Sequence, residues 1–526
     1  MGRSNFLFVY KMGKNHFVLS VLFFLSVFTS YGQTATVVLR VADAKTVINK
    51  NIYGHFAEHL GHCIYEGLYV GDSNQVIPNT AGVRNDIIAA LKKLKVPVLR
   101  WPGGCFADTY HWKDGVGPKK GRPAMINKWW GGVTENNSFG THDFLNMCET
   151  IGADPYLAGN VGSGTVQELS QWVDYVNGEK QSAMSSWRKS NGREKPWHVK
   201  YFGVGNETWG CGGNMNPEYY SNIYKQYATF MTDWENKDGL FRVASGANAD
   251  DYHWTEVMMR DIPKSLIEAV SMHYYSVIDW SAKGPAIEFS RKQYFATMKQ
   301  ALRMEELITG HEKIMDKYDP QKKIALAVDE WGGWYNVEPG TNPAFLYQQN
   351  TMRDALLAGA TLNIFNNHCE RVRMANLAQI VNVLQSVILT DKQKIILTPT
   401  YHVMEMYNVH QDATMIPVTL EKLFYSEGMD SLVAISVSAS RDKQGVTHIS
   451  LVNIDPEKTN RLHILWDGPV LKLENGRILQ SASLQDHNSF DDPDKIKPQN
   501  FLGAKMTGTD LQVSLPPASV VVLTLR

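Results

Sequence analysis

One pattern constrains this chain more than any other. A short apolar run stops on polar residues, a stretch with helical spacing follows, and the unit repeats. The runs lie at 51–54, 96–101, 155–160, 199–206, 241–248, 270–275, 324–330 and 362–367. The clearest helix follows the third run. Thr165 and Glu168 have capping-box spacing, and Val166, Leu169, Trp172, Val173 and Val176 recur on one face. Eight alternating units predict a (β/α)8 TIM barrel, an architecture that does its chemistry at the carboxyl ends of its strands. A doubly wound sheet would not bring the ends of the fourth and seventh runs face to face. Beyond about residue 395 the helical period fades. Alternating runs at 432–437, 448–452, 462–466 and 520–525 predict a C-terminal antiparallel β-sandwich, with an early strand at 36–41 pairing onto it. The expected divisions are a leader at 1–32, the associated strand at 33–48, the barrel at 49–394 and the sandwich at 395–526.

The leader expectation rests on Arg3, Lys11 and Lys14 ahead of an apolar stretch from Phe17 to Phe28 and small residues near Ser30 and Gly32. That is the layout of a secretory signal and too short for a membrane span, so an exported protein, periplasmic or secreted, is expected, with cleavage near Gly32. With 52 basic and 53 acidic residues the net charge is −1 and no basic block stands out, which argues against nucleic acid and anionic membranes as partners. Five cysteines with wide spacing and no CxxC predict buried thiols rather than a disulfide framework or a zinc site.

The polar strand ends carry the candidate chemistry. The fourth run ends in Asn206-Glu207-Thr208-Trp209 and the seventh in Asp329-Glu330-Trp331. Two carboxyl groups across one barrel mouth are what a retaining glycosidase needs: one attacks the anomeric carbon, the other protonates the leaving oxygen. A single glutamate there would read as a helix cap or an ion-pair partner; two at equivalent ends read as catalytic. Asn206 can grip a ring hydroxyl. At the second strand end, Arg100 can hold the nucleophile ionised, Trp101 can stack on a sugar face, and Gly103-Gly104 allow close backbone approach. At the sixth, Tyr275 can orient Glu330, and His273 is expected to face the site rather than the core. His55-Phe56-Ala57-Glu58-His59 matches H-x-x-E-H, the inverted zinc-peptidase signature, but it follows a strand where the motif needs a helix, and no third ligand is evident. Glu58 is better read as reaching into the pocket for sugar hydroxyls. A non-catalytic carbohydrate-binding protein, the third possibility, would show aromatic platforms without an intact carboxylate pair.

Several longer stretches bear a resemblance. GHFAEHLGHCIYEG (54–67), LRWPGGCFADTYHW (99–112), GVGNETWGCGG (203–213), MHYY (272–275), VDEWGGWY (328–335) and NIFNNHCERVRMANLAQIVNV (363–383), with LPPASVVVLTL near the end, resemble the α-L-arabinofuranosidases of glycoside hydrolase family 51. The resemblance implies a retaining, exo-acting hydrolase that releases terminal α-L-arabinofuranosyl groups from arabinoxylan, arabinan or their oligosaccharides. It matches Glu207 to the acid/base and Glu330 to the nucleophile, and Glu58, Cys105, Asn206, Tyr275 and Gln379 to residues lining the furanose pocket. It implies no metal or cofactor, and a homo-oligomer, often a hexamer. Some relatives carry Asn where Cys105 stands. The wider family includes members assigned endoglucanase activity, so another retaining glycosidase, endoglucanase or xylan-active, is the alternative.

Overall fold

The computed structural model describes residues 34–235, 239–508 and 510–526; the expected leader lies outside them. Eight parallel strands close into a barrel: β1 (Gly54–Phe56), β2 (Val98–Trp101), β3 (Asp154–Gly159), β4 (Tyr201–Val204), β5 (Phe241–Asn248), β6 (Ala269–Ser276), β7 (Ala325–Gly333) and β8 (Val372–Ala378). Each strand pairs with the next in sequence, and β8 closes onto β1. Inward-facing Val98, Tyr156, Tyr201, Val243, Ala325 and Met374 pack together in the barrel interior as a cluster of their own, as a filled barrel requires.

Two departures from regular pairing shape the mouth. On β7 the register moves from Met272 opposite Val328 to His273 opposite Glu330, so Asp329 is an extra residue. Such a bulge re-aims the side chains beside it, and here the consecutive Asp329 and Glu330 both approach Arg100. On β5 the register also shifts, between Ala244 and Ala247. Gly246 is obligatory there, because a Cβ would lie 1.6 Å from the Ser271 carbonyl oxygen.

Seven of the expected runs fall on or beside the barrel strands, and the first precedes its strand, with 50–53 forming a 3-10 turn. The eighth expectation is corrected. Residues 362–367 end the helix Met352–Asn367, and the last strand is Val372–Ala378. Every residue from Met352 to Asn366 is buried, because the sandwich covers the side of this helix that would otherwise meet solvent. Asn363 and Asn366 hydrogen-bond Ser436 and Ser438 of the sandwich, and a Cβ at Gly359 would come within 2.9 Å of Val452. A helix with no wet face shows no amphipathic period, so its end imitates a buried strand.

The sandwich consists of a five-stranded and a six-stranded sheet. Among the described residues its pairings are antiparallel except one: the N-terminal strand Thr34–Leu39 runs parallel to Asn460–Trp466 and antiparallel to Val418–Leu420. No helix among the described residues is long and apolar enough to cross a membrane.

Candidate active site

The β4 end turns sharply. Gly205 has φ +83° and Glu207 φ +40°, a left-handed conformation that is uncommon for a residue with a side chain and is held by its surroundings. The Asn206 N–H donates to Asp108 Oδ2 at 2.9 Å, the Thr208 N–H to Ser245 Oγ at 3.2 Å, and the Gly210 N–H to the Glu207 carbonyl at 2.7 Å. Gly212 must be glycine, since a Cβ would lie 1.9 Å from the Asn206 carbonyl oxygen. This turn delivers the Glu207 carboxylate to His273 on β6 and Glu330 on β7.

His273 lies between the two glutamates. Its Nδ1 is 3.0 Å from Glu207 Oε1 and 3.6 Å from Glu330 Oε1, and oxygens of the two carboxylates approach within 4.8 Å. Burial lowers the His273 pKa, but Glu330 and Glu207 outweigh it and the net shift is upward, so a protonated ring can donate to Glu207 Oε1. Glu330 is the better furnished. Arg100 Nη1 donates to Oε1 at 2.8 Å and Tyr275 OH to Oε2 at 2.7 Å. Burial alone would raise its pKa; His273 and Arg100 hold it below the ordinary glutamate value. Arg100 also donates to Asn206 Oδ1 at 2.6 Å, and its guanidinium lies 4.6 Å from the Phe56 ring centre.

Glu58 forms the floor beside Glu330. Its Oε1 accepts from the Gly104 and Phe106 N–H groups at 3.1 and 3.0 Å and from Trp130 Nε1 at 2.9 Å; Oε2 accepts from Gln379 Nε2 at 3.1 Å. Burial, then repulsion from Glu330, pushes its pKa up to about 7. Gln379 Oε1 is buried without a partner among the described residues, an acceptor able to meet a hydroxyl. The glycines at 103 and 104 make room for carboxylates: a Cβ would lie 2.6 Å from Glu58 Cγ at the first and 2.8 Å from Glu330 Oε1 at the second.

Glu58, Arg100, Asn206, Glu207, His273, Tyr275, Glu330 and Gln379 therefore meet at one mouth. Trp101 does not face it, which corrects the expectation of a sugar platform. Strand alternation turns Trp101 outward when Arg100 points inward. Its indole is fully buried, stacks on Phe144 at 5.0 Å, and donates to His59 Nε2 at 3.0 Å. His59 in turn pairs with Glu135 at 2.8 Å. The zinc-peptidase signature is thereby accounted for otherwise: His55 lies on β1 and His59 in the loop beyond, so they share no helix face. The His55 ring has no hydrogen-bond partner among the described residues, and burial pushes its pKa down to about 3.

The cysteine expectation is corrected for two of the five. Cys105 and Cys211 form a disulfide with Cα atoms 5.4 Å apart, while Cys63, Cys148 and Cys369 are buried thiols. Cys105 thus stands at the site as half of a bridge, its Sγ 3.9 Å from Glu207 Oε2. Wide spacing hid the pair; the available signal was that both cysteines sit in glycine-rich strand-end loops, GGC and GCGG. Asp108 and Trp130 were also not anticipated, since neither lies directly at a strand end.

Residues 90–291 match the α-L-arabinofuranosidase 1 domain and residues 329–519 the α-L-arabinofuranosidase C-terminal domain. The chain is 49% identical over 504 residues to a protein of Bacteroides ovatus named intracellular exo-α-L-arabinofuranosidase, covering 95% of this chain and 97% of that one. It superposes on the family 51 arabinofuranosidase of Xanthomonas axonopodis pv. citri with a TM-score of 0.92 at 45% identity, covering 94% of this chain and all (100%) of that one. On the arabinose complex of the Thermotoga maritima α-L-arabinofuranosidase the TM-score is 0.83 at 29% identity, over 93% of this chain and 99% of that one. The Bacteroides name overturns the expectation of export, which rested on composition at an N-terminus outside the described residues; basic residues before an apolar stretch do not by themselves make a working signal. With these matches spanning the barrel and the sandwich, the chain belongs to the α-L-arabinofuranosidases of glycoside hydrolase family 51.

Proposed function

We propose that this protein is a retaining, exo-acting α-L-arabinofuranosidase in which Glu330 is the nucleophile and Glu207 the acid/base. Glu330 attacks C1 of a terminal arabinofuranosyl group while Glu207 gives its proton to the leaving oxygen, forming a covalent arabinosyl-enzyme. Glu207 then takes a proton from water, which attacks C1 and releases arabinose with its configuration retained. The observation that carries this reading is the sharing of His273 by two carboxylates whose oxygens approach within 4.8 Å. Retaining pairs stand about 5–5.5 Å apart, whereas an inverting pair needs roughly 6.5–9.5 Å to admit a water.

The hydrogen bonds divide the labour. Arg100 and Tyr275 keep Glu330 ionised and aimed. His273 occupies Glu207 Oε1, which leaves Oε2 to carry the transferable proton. Glu58, Asn206 and Gln379 are the binding groups for the sugar hydroxyls. The substrates are arabinoxylan, arabinan or oligosaccharides from them, and the active protein is a homo-oligomer, a point that mass in solution decides. The test is a screen of an aryl α-L-arabinofuranoside against the matching arabinopyranoside, xyloside and glucoside, with the product anomer read by NMR before mutarotation. Cleavage confined to the furanoside with retained configuration is expected. An inverted product would end the two-step reading.

A further inference from the structure

We infer that Cys105 and Cys211, once reduced, form with Glu207 a site for a thiophilic divalent cation, and that a cation bound there silences the enzyme. The cation site stands on geometry; the silencing rests on the proposed role of Glu207. The bridge ties the loop after β2 to the loop after β4, and Glu207 Oε2 faces it, 3.9 Å from one sulfur and 3.5 Å from the other. The three candidate donor atoms all lie within 4.8 Å of one another. Both cysteines are only half-buried, so a small dithiol can reach the bridge.

A dithiol reductant supplies two electrons and two protons: its own sulfurs join as the Cys105–Cys211 bond breaks, leaving two thiols. A cation such as zinc or cadmium then displaces both thiol protons into solvent and takes the carboxylate as third donor, with water at the fourth position. Zinc–sulfur bonds of about 2.3 Å at a tetrahedral angle need sulfurs roughly 3.8 Å apart, which side-chain rotation provides once the bond is open. The cation would sit on the Glu207 oxygen that His273 leaves free, so the leaving group loses its proton donor. Cys63, Cys148 and Cys369 do not compete; all three are buried, and burial pushes the thiols of Cys63 and Cys369 up to about 12.

The test titrates cadmium into the full-length enzyme, as prepared and after treatment with a dithiol that is then removed without air. Thiolate-to-cadmium absorption and hydrolysis of an aryl arabinofuranoside are followed together. The reduced enzyme should bind one cadmium per chain with that absorption and lose at least about tenfold in activity, restored by a chelator; the bridged enzyme should show neither change. Absorption should vanish in the double variant Cys105→Ser, Cys211→Ser, and cadmium affinity should fall in Glu207→Gln. Equal uptake in both redox forms, absorption in the double variant, or a bridge that dithiol cannot open in the folded enzyme each overturns the site. If Glu207→Gln weakens cadmium binding yet cadmium leaves wild-type activity intact, the site stands and the acid/base assignment fails.

Discussion

Glu207 and Glu330 reach the same mouth from two different strands, β4 and β7, yet their surroundings differ in kind. The Glu330 side chain is 7% exposed, with Arg100 and Tyr275 donating and His273 close by. Glu207 is 19% exposed; one oxygen meets His273 and the other faces a disulfide, which has no proton to give. A carboxylate crowded with donors stays ionised and keeps its aim, as a nucleophile should. One left with a free oxygen can gain and lose a proton within a catalytic cycle. Burial alone would push Glu330 toward neutrality, and it is the neighbouring His273 and Arg100 that keep it ionised.

The largest break in this contrast comes from Glu330→Ala. With no atom to form the covalent intermediate, kcat should fall at least about 10⁴-fold on every substrate, and added azide should restore turnover by giving an arabinosyl azide. Full activity in this variant would move the nucleophile elsewhere. Glu207→Ala should be selective where Glu330→Ala is not. Loss on the order of 10²–10⁴ is expected with poor leaving groups, while an activated aryl furanoside should still give a burst of phenol, because that departure needs no proton. Equal losses across leaving groups would erase the distinction between the two sides.

A finer probe is Tyr275→Phe, which removes one donor from Glu330 and leaves Arg100 in place. A hydrogen bond to a charged group contributes about 1.5–3 kcal/mol, so kcat/KM should drop roughly 10- to 100-fold. The tyrosine favours the ionised carboxylate, so its loss should raise the Glu330 pKa and move the acid limb of the kcat/KM profile to higher pH. A drop without that movement would make Tyr275 a substrate contact rather than a brace for the nucleophile.

What could be read from the sequence follows the same division. Polar groups that end a strand announce themselves, because an apolar run breaking on Asn-Glu or Asp-Glu has few structural explanations; hence Glu207, Glu330, Arg100 and Tyr275. Groups that act from behind did not. Asp108 draws the N–H groups of Val161, Gly162 and Asn206 together from a loop, a role with no local pattern. Trp101 was misdirected because its neighbour Arg100 faces the site and one step along a strand reverses direction. The bulge at Asp329, which brings two successive carboxylates to one arginine, is likewise invisible until strands pair. The helix Met352–Asn367 misled for the opposite reason: the sandwich makes both its sides interior.

The smallest expected effect concerns Glu58, on the crowded side of the mouth. Its pKa is pushed up to about 7 in the folded protein, against about 4.3 in an unfolded chain. Between those values the native state holds a proton that the unfolded state has released. Stability from this group is therefore fully present below about pH 4.3, declines as pH rises, and is gone above about pH 7, with a slope of at most about 1.4 kcal/mol per pH unit. Glu58→Gln keeps an acceptor for the three donors on Oε1, and the unpartnered oxygen of Gln379 can turn to meet the new amide. The variant should thus fold, and its unfolding midpoint in denaturant, measured at pH 5, 6 and 7, should fall less steeply with pH than that of the unaltered protein. Parallel slopes would mean that Glu58 stays ionised throughout, and that the dense hydrogen bonding on this side of the site offsets burial for both of its carboxylates rather than for Glu330 alone.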